Sequence, residues 1–294
     1  MSRQHLIHAL FSLSAALGAA ARPVPAPAQT DAPAVHARDR GPGVSSSLFG
    51  TYLREGELVI YPFFEYTRDN NREYQPVEFG AGPAVDFRGR FRGTATQLFL
   101  GYGLTDWLAL EFEAAYLTAT FHKSPSDPNP TPTRLGQSGF GDVEMQVRAR
   151  LWRETGGWPE LFGFVELVAR TQRRRALLAE PHWDAKPGIG LVRGFGFGTM
   201  TIRIAAEYNH EERHPDLGEF AIEYLRRVSR SGHLFLAFEG GETGAMDEWD
   251  LITGIRWRIA PSVAFKFDNA LGLSSKATDW APQVGLMFTL APPP

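Results

Sequence analysis

The sequence contains no cysteine. That one absence removes structural disulfides, thiolate metal sites, cysteine nucleophiles and an N-terminal lipidated cysteine. Beyond residue 21 there is no long apolar run, and mean hydropathy is -0.23. A bundle of membrane helices, each needing about 20 apolar residues, is excluded. No block of one charge sign occurs either. Thirty Lys and Arg are interspersed with 33 Asp and Glu, for a net charge of -3. Such a balance gives no reason to expect a nucleic-acid partner. Turn formers are plentiful, with 30 Gly and 21 Pro.

The N-terminus reads as a targeting segment. Arg3 precedes a small, apolar run from Leu6 to Ala21, and Ala26-Pro27-Ala28 offers a cleavage motif, with Ala19-Ala20-Ala21 competing. Residues 1–28 are therefore expected to be a secretory signal. They hold two Arg and no acid, so the exported chain carries a net charge of -5. An exported chain without cysteine needs another source of rigidity. Residues 29–56, rich in Pro, Gly, Ser and charge, are expected to be a loosely ordered lead-in.

From Glu57 onward the hydrophobic period is two. In 142–151, Val143, Met145, Val147, Ala149 and Leu151 alternate with Asp142, Glu144, Gln146, Arg148 and Arg150. Successive strand side chains point to opposite faces, so this stretch has one apolar and one charged face. Residues 107–121 behave likewise. Further candidates are 57–67, 92–104, 161–172, 186–195, 198–210, 219–228, 233–241, 248–260, 262–273 and 279–290. About twelve strands result. The polar face collects Glu111, Glu113, Asp142, Glu144, Arg148, Arg150, Glu166, Arg170, Arg203, Glu207, Glu239, Asp250, Arg256, Arg258, Lys266 and Asp268.

The connections are sorted by length. Those at 68–91, 122–138 and 173–185 are long, and those between them are tight turns such as Leu104-Thr105-Asp106. Glu211–Gly218 and Glu242–Asp247 also exceed their opposite-end neighbours. Long loops at one end and short turns at the other, with an even strand number, are the pattern of a transmembrane barrel. Trp107, Trp152, Trp158 and Trp257 fall at the short-turn end, and Trp183, Trp249 and Trp280 at the long-loop end. Trp249 and Trp257 share one face, about 26 Å apart along a strand at ~3.3 Å per residue. With strand tilt that approaches the ~25 Å band between aromatic girdles. The fold expected is therefore all-β: a transmembrane antiparallel up-and-down β-barrel over residues 57–290, in an outer membrane, with the lead-in in the periplasm. Pro62 and Pro282 lie in the first and last strands, where proline is disfavoured. The seam those strands make is expected to lack rungs near each proline.

Two short motifs carry a resemblance. Gly139-Phe140-Gly141-Asp142-Val143-Glu144 opens a strand after a long loop, and Leu104-Thr105-Asp106-Trp107-Leu108 makes a tight turn. With the leader, they resemble the outer-membrane channel family associated with phenol-degradation (MetA) pathways. The resemblance spans most of 57–290 and implies passage of small, aromatic or hydrophobic molecules. No cofactor is expected.

The interior charges allow two readings. They line a narrow mixed-charge pore, or they pair and shut it, since unpaired buried charge is costly. The first makes the chain a channel for small solutes; the second makes it a structural or adhesive barrel. Arg173, Arg174 and Arg175, with Arg88, Arg90 and Arg92 nearby in level, are candidates for lipopolysaccharide phosphate at the long-loop end, against the plainer reading of a solvated loop. His122 and Ser124 share a face but have no orienting third group, so lipid-modifying catalysis is not expected. His210 and His214 sit in a charged loop rather than on a helix, so no metal site is expected. Gly194-Phe195-Gly196-Phe197-Gly198 opens no helix and reads as a turn rather than a phosphate loop.

Overall fold

Two short strands, β1 (Val44–Ser45) and β2 (Tyr52–Leu53), precede twelve longer ones. These are β3 (Leu58–Tyr74), β4 (Phe87–Gly103), β5 (Leu108–His122), β6 (Arg134–Trp152), β7 (Glu160–Ala169), β8 (Asp184–Phe195), β9 (Gly198–Asn209), β10 (Pro215–Arg227), β11 (Gly232–Thr243), β12 (Met246–Ala260), β13 (Val263–Gly272) and β14 (Ala281–Leu290). The computed structural model describes residues 39–169, 171, 176–178, 183–209, 215–243 and 246–291. The leader, Arg170, Arg173, Arg174, Arg175, His210 and His214 lie outside the described residues. Among the described residues no helix is long and apolar enough to cross a membrane.

Strands β3 to β14 pair in sequence, each antiparallel to the next, and β14 returns to β3 to close a barrel. Closure satisfies every strand edge, which is what a sheet in hydrocarbon requires. Periodicity alone left open which face is inside, and exposure decides it. Val147, Ile204 and Leu236 are 47%, 46% and 44% exposed, whereas Gln146, Arg148 and Arg256 are 6%, 2% and 2%. The apolar set faces out, a surface suited to lipid rather than water. Trp107, Trp152, Trp158 and Trp257 are exposed at the short-turn end, and Trp183 and Trp280 at the other.

The seam is irregular at both prolines. The ladder runs Phe63↔Gly285 and then Ile60↔Phe288, with no rung at Pro62 or Tyr61. Beyond Glu65↔Gln283 the next pairing is the bridge Arg68↔Trp280, so the rungs at Pro282 and Ala281 are also missing. Proline has no N–H to donate, which accounts for both gaps.

Three sequence expectations need correcting. Strands β3, β4 and β6 run past their expected ends at 67, 92 and 142 to Tyr74, Phe87 and Arg134. In these tips the outward positions hold Arg, Gly and Ser rather than apolar side chains, so the expected period-two signal is lost while the backbone ladder continues. The β11–β12 connection, expected at 242–247, is two residues between Thr243 and Met246. It is no longer than the turn between Ala260 and Val263 at the opposite end. The third correction concerns 29–56. From Asp39 on, this stretch is not a loose lead-in but a folded plug inside the barrel. Strands β1 and β2 pair through Val44↔Leu53 and Ser45↔Tyr52. Val44, Leu53 and Tyr52 are 0%, 0% and 2% exposed.

Candidate functional site: the lumen and its plug

Both ends of the barrel strand series, Leu58 and Leu290, lie at the short-turn end, so the plug enters there. Part of the interior wall at that end is apolar. Val59, Tyr61, Phe63, Phe99, Ala109, Ala264 and Met287 form one cluster with Val44 and Leu53 of the plug. Phe49 meets Phe235 edge-on at 5.9 Å. An inward face that includes a buried apolar cluster against the plug was not anticipated from alternation, which treated that face as uniform.

Buried Arg side chains hold the plug by its carbonyls. Arg150 donates to the carbonyl oxygens of Gly43, Gly41 and Asp106. Arg256 donates to Gly50 O at 2.9 Å. In return, Glu111 accepts from the Ser47 N–H at 3.1 Å. At the plug's outer end, Arg40 pairs with Glu154 at 2.8 Å. Asp39 meets His233 at 2.6 Å and Arg227 at 3.2 Å. Burial raises the Asp39 carboxyl, but His233 and Arg227 outweigh it and hold it at about 2. A depressed carboxylate loses its contribution only as pH falls through the ordinary carboxylate range toward that value, so this clasp is intact at neutral pH.

Backbone closeness fixes the plug's exit. Gly56 N–H donates to Gly103 O at 2.8 Å, and Gly103 N–H to Glu57 O at 3.0 Å. A Cβ at Gly103 would stand 1.9 Å from Arg54 O. Gly103→Val is therefore expected to dislodge residues 54–57 while leaving the barrel closed. Trypsin cleavage at Arg40 and Arg54 in detergent should then outpace wild type. Equal cleavage rates would count against this seating.

Every described member of the expected polar set faces inward. The charges do not fill the lumen; most are drawn to the wall. Arg203 on β9 pairs with Glu219 and Glu223 of β10 and, at 3.1 Å, with Glu239 of β11. Ala221 lies directly opposite Arg203, and its small side chain leaves the guanidinium room to reach three carboxylates. Arg148 sits 4.5 Å over the Phe162 ring and donates to Gln146, which donates to Glu166. Lys266 pairs with Asp268, and Lys186 with Glu207 at 3.5 Å. Asp142 accepts from Thr171 N–H at 3.0 Å. Among the described residues Glu113, Glu144, Asp250 and Arg258 have no ion-pair partner. Glu219, Glu223 and Lys186 were missed by the sequence reading, although Glu219-x-Ala221-x-Glu223 carries the same alternation.

Above the plug, in the long-loop half of the lumen, lies a cavity of about 590 Å³. One wall is aromatic. Phe121 stacks on Phe79 at 4.8 Å and meets Tyr74 edge-on at 4.8 Å, and Phe91 completes the wall. The rest of the lining carries Glu113, Asp142, Glu144, Asp184 and Glu207, with Lys186. Glu113 and Glu144 are direct cross-strand partners. Like charges directly opposite destabilise a sheet, so this pair has no structural rationale of its own. Loop residues cover the aromatic wall: Tyr74 Oη donates to Asp127 at 2.9 Å and accepts from Ser124 N–H at 3.0 Å. Ser124 Oγ is 2.8 Å from Ser126 Oγ. His122 faces outward and makes no hydrogen bond to Ser124, so the structure does not bring that pair together.

The wall has a further weak stretch besides the seam. The β8–β9 ladder lacks rungs between Ala185↔Tyr208 and Gly188↔Ala205, at Pro187. A cleft of about 430 Å³ lies there, lined by Pro187, Ile189, Ile204 and Leu217, with Phe164 also in its lining.

No family model and no curated protein matches the sequence. Among solved structures, the chain is similar to an outer membrane channel from Pseudomonas putida F1, with TM-score 0.58, 14% identity, and coverage of 81% of this chain and 97% of that one. It is also similar to the translocator domain of the autotransporter NalP from Neisseria meningitidis, at TM-score 0.50 and 10% identity over 79% and 88% of the chains. KdgM porin gives TM-score 0.50 and 6% identity over 78% and 98%. At these identities the likeness is one of fold: a closed antiparallel barrel shared with an outer membrane channel and a porin.

Proposed function

We propose that the chain is an outer-membrane channel for small molecules, closed at its periplasmic end by its own N-terminal segment. The observation that carries this reading is the 590 Å³ cavity above the plug, lined by an aromatic cluster and by acidic side chains. The lipid-facing apolar belt supports the membrane placement, and the short-turn end, where both barrel termini lie, is the periplasmic one by the usual orientation of such barrels. The alternative of a lumen shut by its charges is less supported, because those charges pair along the wall and leave the cavity clear.

The cavity's chemistry narrows the solute. A flat apolar ring fits the Tyr74, Phe79, Phe91 and Phe121 side. A hydroxyl or amine donor on that ring suits the unpaired carboxylates of Glu113 and Glu144. Phenolic solutes combine the two, in keeping with the family resemblance noted above. The charged residues expected to line the channel act here as its polar wall, with Glu113 and Glu144 as the groups that meet the solute. A second route is favoured by the cleft at Pro187: an apolar solute leaves sideways between β8 and β9 rather than through the plug.

Planar-bilayer recording of the full chain with catechol tests the reading. Catechol is expected to interrupt a small ionic current in a concentration-dependent way. Glu113→Gln combined with Glu144→Gln should weaken that block roughly tenfold, since each amide keeps one acceptor oxygen and puts an NH₂ donor in place of the other. Folded protein showing neither current nor catechol-dependent interruption would remove the channel reading.

A further inference from the structure

The outer wall at the long-loop end carries a basic patch that the lumen does not use. On β4, Arg88, Arg90 and Arg92 occupy alternate positions and so share one face. That face is the outer one, because Phe91 between them lines the lumen cavity and Arg88, Arg90 and Arg92 are all exposed. Register then brings in the neighbours. Arg90 pairs with His122 of β5, and His122 with Arg134 of β6. Arg92 pairs with Arg68 of β3. Arg68, Arg88, Arg90, Arg92 and Arg134, with the His122 imidazole among them, thus lie on four adjacent strands.

Direct cross-strand pairing of like charges is unfavourable without an anion between them. Arg88 is answered by Glu73 at 2.9 Å, and the Arg68 guanidinium donates to the neutral Asn70 side chain at 3.2 Å. Among the described residues Arg90, Arg92 and Arg134 have no acidic partner. A set of fixed, repelling guanidinium groups on a regular sheet differs from a charge run in a solvated loop, where side chains spread apart freely.

The rows below the cations have an order of their own. Reading toward the membrane centre, the next outward row holds Ser138, Thr118, Thr94 and Tyr66, and the one below it Phe140, Tyr116, Thr96 and Phe64. Tyr116 and Phe140 meet edge-on at 5.6 Å, and Phe140 is 65% exposed. Trp280 bridges to Arg68 and so marks the membrane interface at the level of the lower cation row. The outer face therefore passes from aromatic to hydroxyl to cation within about 13 Å along the strands, at ~3.3 Å per residue.

We propose that this face binds an acylated, phosphorylated glycolipid of the outer leaflet, the chemistry of lipid A. The phosphates meet Arg90, Arg92 and Arg134, the sugar hydroxyls meet the Ser/Thr row, and the acyl chains lie on the aromatic row. Arg suits phosphate because its planar fork donates two parallel hydrogen bonds. The site is independent of the channel reading, since it uses only outward side chains.

The test is binding of bisphosphorylated lipid A to the full chain in detergent micelles. It is compared with fully dephosphorylated lipid A and with inorganic phosphate as competitor. The triple variant Arg90→Gln, Arg92→Gln, Arg134→Gln is expected to lose at least tenfold in affinity, and the corresponding triple Lys variant to fall between. The control Arg226→Gln with Arg230→Gln, at the short-turn end, should bind as wild type does. Heat-modifiable gel migration reports that each variant is folded; single Arg90→Gln serves if the triple is not. Equal affinity in wild type and the Gln variants overturns the proposal. So does equal binding of the dephosphorylated lipid, or displacement of lipid A by millimolar phosphate, which would mark a free-anion site.

Discussion

Deleting residues 39–55 behind an intact leader is expected to raise single-channel conductance by roughly tenfold, because a barrel of about twelve strands is wider than its own side chains fill. The closing hydrogen bonds all belong to β3–β14, so the deletion leaves the barrel's ladder complete. What it removes is the packing of Val44 and Leu53 on Tyr61, Phe63 and Phe99. Fully burying such side chains contributes about 1.5–3 kcal/mol each, so some loss of thermal stability should accompany the larger current. Arg150→Met separates the two effects. It takes away the donors to Gly41 and Gly43 while keeping the plug covalently present, and should give intermittent openings of the large size. An unchanged conductance in the deleted chain would mean that the constriction lies elsewhere. The same variant weighs the two exits for solute: faster passage on deletion favours the axial one, and unchanged passage despite larger current favours the β8–β9 cleft.

The barrel was legible because lipid outside and charge inside impose strict alternation, and Asp142 to Leu151 shows it in ten residues. The seam gaps were legible from Pro62 and Pro282, since a missing N–H acts locally. The plug was not. Val44 and Leu53 are separated by a turn within a Gly- and Ser-rich stretch, so no periodicity marks them, and their partners lie on distant strands. The cavity's aromatic wall escaped for a related reason. Tyr74, Phe91 and Phe121 sit at strand tips whose outward neighbours are Arg, Thr and His, so the usual contrast between faces is reversed there. Of the expected lining residues, alternation located the positions, but only the three-dimensional register separates Glu113 and Glu144, which face the cavity unpaired, from the carboxylates held by Arg203.

Arg203→Met is expected to be the most destabilising single change in the lumen. It leaves Glu219, Glu223 and Glu239 on one patch of wall without the cation they share, on strands β10 and β11 that the guanidinium ties to β9. Breaking a buried pair from one side costs about 3–5 kcal/mol, because the partner charge stays behind. The readout is the temperature at which the folded, fast-migrating gel band converts to the unfolded one, which should drop clearly. Adding Glu219→Gln, Glu223→Gln and Glu239→Gln to Arg203→Met removes the stranded charges and should restore most of that temperature. If the quadruple variant is no more stable than Arg203→Met alone, side-chain packing rather than charge pairing explains the loss. Ala221 gives an independent check: Ala221→Leu keeps every charge but occupies the space over which the guanidinium spreads. It should therefore destabilise in the same direction, and more weakly, as strand-to-strand pairing is strained rather than abolished.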